Sequence, residues 1–135
     1  MTVSRHALAT TANGAYNITA TVREAALASK VAEGLCIVFV PHTTAGLSIT
    51  SFWDPKGLDD IHDDLNRLVP ARIDFKHQVD TPQDAAGHVK SVLVGVSLTL
   101  IVAEAKLVLG HSQGIFFNEF DGPRQREFFV KCSHG

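Results

Sequence analysis

Chemistry in this 135-residue chain is concentrated in its seven histidines, and the run Val38-Phe-Val-Pro-His42-Thr43-Thr44-Ala45-Gly46-Leu47 carries the strongest signal. An apolar strand there delivers an imidazole, able to move a proton or bind a metal, into small residues and hydroxyls where a ligand can come close. His77 and His88 arrive from other parts of the chain. Zinc accepts three neutral imidazoles and keeps a fourth position for water or substrate, so His42, His77 and His88 have the composition of an open metal site. Their spacing matches no metal-binding motif. Most lone histidines are satisfied structural or surface groups, and His6, His62, His111 and His134 are read that way.

Two acids and one arginine complete the candidates. Asp84 precedes an apolar-periodic run and is expected to cap a helix, to orient an imidazole or hold a metal, and to mark a helix start whose N–H groups suit a phosphate. Glu119 sits in Ile115-Phe-Phe-Asn-Glu-Phe120, where an acid among aromatics needs a partner. It is either a general acid/base or half of a buried ion pair with Arg124 or Arg126. Arg124 follows the turn Asp121-Gly-Pro and is by default a solvated charge. Asp59, Asp60, Asp63 and Asp64 invite a magnesium reading, but they also form the solvated face expected opposite Leu58, Ile61, Leu65 and Leu68, which is preferred.

These residues need elements to hold them. Strands are expected over 3–10, 15–19, 35–41 and 47–51, with Asn13-Gly14 joining the first two as a hairpin. Thr21-x-x-Glu24 reads as a capping box for a helix to Ala32, ended by Gly34. Asp54-Pro55 opens an amphipathic helix to Leu68. After a connection over 71–83, Asp84 caps a third helix to Val94, closed by Gly95, with His88 one turn inside. Runs at 97–102, 105–109, 114–120 and 126–131 read as four strands in antiparallel meander. Strands at both ends and helices between them, without βαβ alternation, give an α+β fold in a single domain, 1–135.

Composition narrows the function. A net charge of −2 with scattered Lys and Arg gives no footprint for nucleic acid. No run of 18 apolar residues spans a bilayer, so no membrane partner is expected. Cys36 and Cys132 form no metal spacing and read as reduced thiols, and with no apolar core of a signal peptide at the N-terminus the expected location is cytoplasmic. No Ser-His-Asp order, phosphate loop or dinucleotide fingerprint occurs; Gly110 to Gly114 lies between strands.

The His42 segment, His77, Asp84-Ala-Ala-Gly-His88-Val-Lys-Ser91, and the stretch from Gly110 to Arg124 together resemble the YjbQ family of secondary thiamine-phosphate synthases. The resemblance covers nearly the whole chain, with its motifs in the same order. It implies a small YjbQ-like α+β domain with a β-sandwich of antiparallel sheets and two to three helices, assembling as a homotrimer. It also implies the joining of hydroxymethylpyrimidine diphosphate to thiazole phosphate, with release of pyrophosphate. On that reading His42, His88 and Glu119 are catalytic, and Thr43, Thr44, Asp84, Gln113 and Arg124 bind a small phosphorylated metabolite. His42, His77 and His88 then hold a divalent metal, zinc or magnesium. Two departures stand out: Thr50-Ser51-Phe52 replaces an Asn-Glu-Asn run, and His111-Ser112 replaces Thr-Trp. The alternatives are a metal-dependent hydrolase of a small metabolite and a non-catalytic trimeric metabolite- or metal-binding protein.

Overall fold

Period-two alternation turns Cys36 and Val38 of β3 (Gly34–Phe39) inward and leaves Leu35, Ile37 and Phe39 facing out. In the computed structural model, which describes residues 3–135, that strand lies at the centre of a five-stranded sheet ordered β1-β8-β3-β5-β6. The other members are β1 (Ser4–Ala9), β8 (Gln125–His134), β5 (Ser97–Ala103) and the two-residue β6 (Lys106–Leu107). A three-stranded sheet, β2-β7-β4, is built from β2 (Gly14–Asn17), β7 (Gln113–Glu119) and β4 (Ala45–Ser51). All the pairings are antiparallel. Val38, Leu100, Phe128 and Val130 of the first sheet meet Leu47, Ile115 and Phe117 of the second in one core, covered by Val22 and Ala26 of α1 (Thr19–Ser29). The fold is α+β in a single domain, as expected.

Two pairings differ from the reading of the sequence. β1 and β2 form no hairpin: β1 pairs with β8 and β2 with β7. The chain crosses between the sheets at 10–13, as it does again at 120–124, and the crossings are bound to each other. Thr10 N–H donates to the Arg124 carbonyl, Gly122 N–H to Asn13 Oδ1, and Asn13 Nδ2 to the Phe120 carbonyl. Asn13 therefore links two crossovers instead of shaping a hairpin turn. The expected meander reduces to one hairpin, β5–β6, whose turn residues Glu104 and Ala105 both have positive φ.

Helix boundaries shift for local reasons. α1 starts two residues before Thr21, because Asn17 Oδ1 accepts from the Thr19 N–H and hydroxyl. It ends at Lys30, which is left-handed at φ 59°, rather than at Gly34. Gly34 is required for another reason: a Cβ there would lie 2.0 Å from the Ser133 carbonyl oxygen of β8. α2 (Pro55–Leu68) starts as expected, with the Asp54 carboxylate accepting from Lys56 N–H. Its apolar stripe is covered only in part, leaving Ile61 and Leu68 exposed. α3 (Pro82–Val94) closes at Gly95 as expected, but its cap is Thr81, whose hydroxyl accepts from Asp84 N–H. Asp84 falls at the third helical position, and its carboxylate is free of the capping duty.

Cys36 and Cys132 face each other across β3 and β8, both buried. Burial and the neighbouring thiol push Cys36 up to about 12, which leaves it without thiolate at neutral pH. None of the described helices is long and apolar enough to cross a membrane.

Candidate functional site

Asp84 and His88 are four residues apart on α3 and so share a face, with the carboxylate Oδ2 3.3 Å from His88 Nε2. His77 reaches the same oxygen at 3.1 Å from the connection before the helix. That connection is anchored by Phe75, buried with Val69 against Ala85 and Ala86 of α3. One donor atom from each of the three side chains lies within 4.8 Å of the others. The imidazoles are half open to solvent and Asp84 is nearly closed.

The donor set fits a zinc-class ion. Bonds of about 2.1 Å in a tetrahedron place neighbouring donors about 3.4 Å apart, close to the two separations found here. Two imidazoles and one carboxylate favour zinc or a similar transition ion over magnesium, which prefers an all-oxygen shell. A fourth position would remain for water or substrate.

An arginine lies beside this cluster. Arg124 donates through Nε to the Asp121 carbonyl at 2.9 Å and through Nη2 to its carboxylate at 2.7 Å. The Asp121 carboxylate also accepts from Gln83 Nε2 at 3.1 Å, which ties the 121–124 turn to the start of α3. Burial alone would raise the Asp121 carboxyl, but Arg124 and Gln83 hold it below the usual range. Asp121 and neighbouring Asp80 and Asp84 raise the Arg124 pKa. The guanidinium has five N–H groups, of which Asp121 takes two, and its side chain is 44% exposed. Gly87 permits the close approach: a Cβ there would sit 3.3 Å from both the Phe120 carbonyl and the Thr44 side chain.

The structure regroups the expected residues. His42 stands outside the cluster, its place beside His77 and His88 taken by Asp84. Its Nε2 accepts the Glu127 backbone N–H at 3.0 Å, so the proton is on Nδ1. Burial and the Arg126 charge push its pKa below the ordinary 6.5. His42, Thr43 and His88 nevertheless line one mostly apolar groove with Phe39 and Val92. Glu119 is fully buried and bonded on both oxygens. Oε1 accepts from Thr10 Oγ1 at 2.7 Å and Arg126 Nε at 2.8 Å; Oε2 accepts from Arg126 Nη2 and from Asp121 N–H. Burial raises its pKa, yet the guanidinium, hydroxyl and N–H prevail and leave it lowered. That is the ion-pair alternative with Arg126, and it leaves no oxygen for acid/base work. Thr44 belongs to the same network, its hydroxyl accepting from Arg126 Nη2 at 2.8 Å.

Gln113 lies at the opposite end of β7 from Glu119, about 20 Å away along the strand, and its Oε1 accepts from Gly110 N–H. The departures at Ser51 and at His111-Ser112 lie at that far end too. Ser51 pairs with Gln113, and Trp53 stacks near His111 and donates to Ser112 Oγ at 3.1 Å. The start of α3 offers few free N–H groups to a phosphate, since Pro82 has none and Asp84 N–H is capped. Arg126, absent from the expected site, is the cation that organises the interior; alternation along β8 places it inward, a signal present in the sequence.

A small α+β domain with two antiparallel sheets and a half-open His-Asp-His cluster beside an arginine defines the class. Residues 4–135 match the family described as UPF0047 protein YjbQ-like, and the chain belongs to that family. It is 47% identical over 115 residues to UPF0047 protein MJ1081 of Methanocaldococcus jannaschii, covering 85% of this chain and 81% of that one. A crystal structure of the YjbQ/UPF0047 protein from Clostridium acetobutylicum superposes with a TM-score of 0.90 at 39% identity, over 96% of this chain and 99% of that one. The hypothetical protein APE1520 of Aeropyrum pernix gives 0.93 at 28% identity over 100% of both.

Proposed function

We propose that the chain is a metal-assisted transferase acting on a small diphosphate, of the thiamine-phosphate synthase type that the family resemblance implies. The reaction would join hydroxymethylpyrimidine diphosphate to thiazole phosphate and release pyrophosphate. The observation that carries the reading is the open His77–Asp84–His88 cluster with the partly free guanidinium of Arg124 beside it. His77 and His88 would supply Nε2 lone pairs, and Asp84 the anionic third ligand. A bound divalent ion would supply Lewis acidity toward the leaving diphosphate. Arg124 would hold phosphate oxygens through the N–H groups that Asp121 does not use, and Asp121 would keep it pointed at the cluster. His42, neutral and with its Nδ1 proton available, would contact the organic part of the substrate from the groove it shares with His88.

The homotrimer belongs to the same proposal. Leu35, Ile37, Phe39 and Ile101 leave the outer face of the larger sheet apolar and exposed, and through Phe39 this face runs into the His42–His88 groove. A second copy on this face would complete the wall of the site. A monomeric mass by light scattering at micromolar protein would remove this part.

Metal analysis of the purified protein, followed by turnover of the two precursors before and after chelation and zinc replenishment, tests the function. One ion per chain and zinc-dependent thiamine phosphate formation are expected. Zinc-dependent phosphate release without joining would replace the transferase with a hydrolase, and binding without turnover would leave a metabolite-binding protein. Absence of metal affinity would overturn the proposal.

A further inference from the structure

We propose that the cavity between α1 and the β1 edge of the larger sheet binds a small primary ammonium compound with a short apolar body, held by Glu24 and His6. The cavity is about 430 Å³ and shares no lining residue with the His-Asp-His cluster or with the His42–His88 groove.

Two stripes placed to pack together enclose it. Alternation along β1 puts Ser4, His6 and Leu8 on the inward side, and the register sets Ser4 opposite Val130 and His6 opposite Phe128, both buried. On α1, Thr21, Glu24, Ala25, Ala28 and Ser29 follow the i, i+3, i+4, i+7, i+8 interval of a single helix face. Leu8 packs on the core, as do Val22 and Ala26, but beside them the facing side chains are short or polar. The two elements therefore stand apart over a floor of Val130 and Cys132. A histidine and a carboxylate at positions where packing would use apolar side chains break the pattern of both elements, and such breaks concentrate at functional sites.

The hydrogen-bond inventory defines the ligand. Ser4 Oγ donates to the Val130 carbonyl at 3.3 Å, so the 2.9 Å contact with His6 Nε2 is a donation from the ring to Ser4 Oγ. His6 is therefore protonated on Nε2 and keeps a lone pair on Nδ1. Its ring is held by stacking on Phe128, with centroids 5.2 Å apart. The Ser29 hydroxyl is used by the Ala26 carbonyl and the Val31 N–H, and Cys132 faces Cys36. Glu24 is the acid of the lining; no Lys or Arg stands with it there, and it forms no ion pair among the described residues. The groups left over are acceptors, a carboxylate and an imidazole nitrogen, which a primary ammonium satisfies with two of its three N–H bonds. His6, Glu24 and Cys132 do not converge on one metal ion, since among the described residues His77, Asp84 and His88 are the set that does. Val130, Ala25 and Ala28 supply the surface for the apolar body.

Calorimetric titration of the native protein with phenethylamine tests this, with 3-phenylpropionate, of similar size and opposite charge, as the control. Saturable binding of one phenethylamine per chain is expected, with 3-phenylpropionate at least about tenfold weaker. Glu24→Gln is expected to lower the affinity for phenethylamine about tenfold, the equivalent of about 1.4 kcal/mol. Ala28→Leu fills the cavity from an exposed helix position. It is expected to abolish binding and to leave the melting temperature within a few degrees. Absence of saturable binding, equal binding of 3-phenylpropionate, or an affinity unchanged by Glu24→Gln or by Ala28→Leu would overturn the proposal.

Discussion

Two acid-centred clusters, joined in space through Asp121 and Gln83, are built to opposite ends. Glu119 and Arg126 are sealed in the interior, and the Glu119 oxygens are met by Thr10, Arg126 and the Asp121 N–H. Asp84 faces two imidazoles that are 47% and 39% exposed, and neither ring is closed off from a ligand. The residue types would suit either role. Access to solvent and completeness of hydrogen bonding separate them: a filled set of partners fixes the fold, whereas an open set can exchange them for a metal or substrate.

Removing half of each cluster should expose the contrast. Glu119→Gln leaves Arg126 as an unpaired buried charge and is expected to cost about 3–5 kcal/mol of stability in urea unfolding. A variant as stable as the native protein but inactive would return Glu119 to acid/base duty. The sign of the pH dependence follows from its lowered pKa. The contribution is complete above the unfolded value near 4.5 and is lost as pH falls through and below it, so the variant should show a flatter acid limb.

His88→Gln should do the reverse. The melting temperature is expected to stay within a few degrees, the shift that about 1 kcal/mol produces in a domain of this size. Zinc affinity by calorimetry should fall by at least about 100-fold, because losing an outer partner alone costs about 10–100-fold. Retained affinity would make the cluster an ordinary surface ion pair. Arg124→Ala addresses the bridge between the regions: affinity for inorganic pyrophosphate in the zinc-loaded protein should drop about tenfold, the value of one charge-assisted contact of about 1.4 kcal/mol. An unchanged affinity would confine Arg124 to holding Asp121.

The smallest effect concerns His42, which sits between the two. Its pKa is depressed by burial first and then by Arg126, so its contribution to stability is complete above about 6.5 and declines as pH falls through that value. The melting temperature of the native protein should therefore drop between pH 7.5 and 5.5, and that of His42→Asn should drop less. Equal slopes would mean that the ring protonates freely in the folded state.

Much of this was legible in the chain. A near-continuous apolar run marked β3, Asp54-Pro55 and Gly95 marked helix ends, and the four-residue interval placed Asp84 and His88 on one face, because these signals are set within one turn or one strand. The resemblance gave the family and the fold class. Pairing was not legible: nothing local in Asn13-Gly14 states that β1 and β2 enter different sheets, since crossing and turning back use the same turn residues. Nor could spacing choose the third member of the cluster. His42 and Asp84 were both candidates, and the choice fell to the Glu127 N–H that occupies His42 Nε2 and to the Thr81 hydroxyl that releases Asp84 from capping. His6 shows the same limit: a lone histidine reads as a satisfied group, and only the placing of α1 over β1 leaves a cavity against it. The sequence by itself determined which residues were available to do chemistry and on which side of each element they stand; which of them meet, and which are sealed, was decided by contacts between segments far apart in the chain.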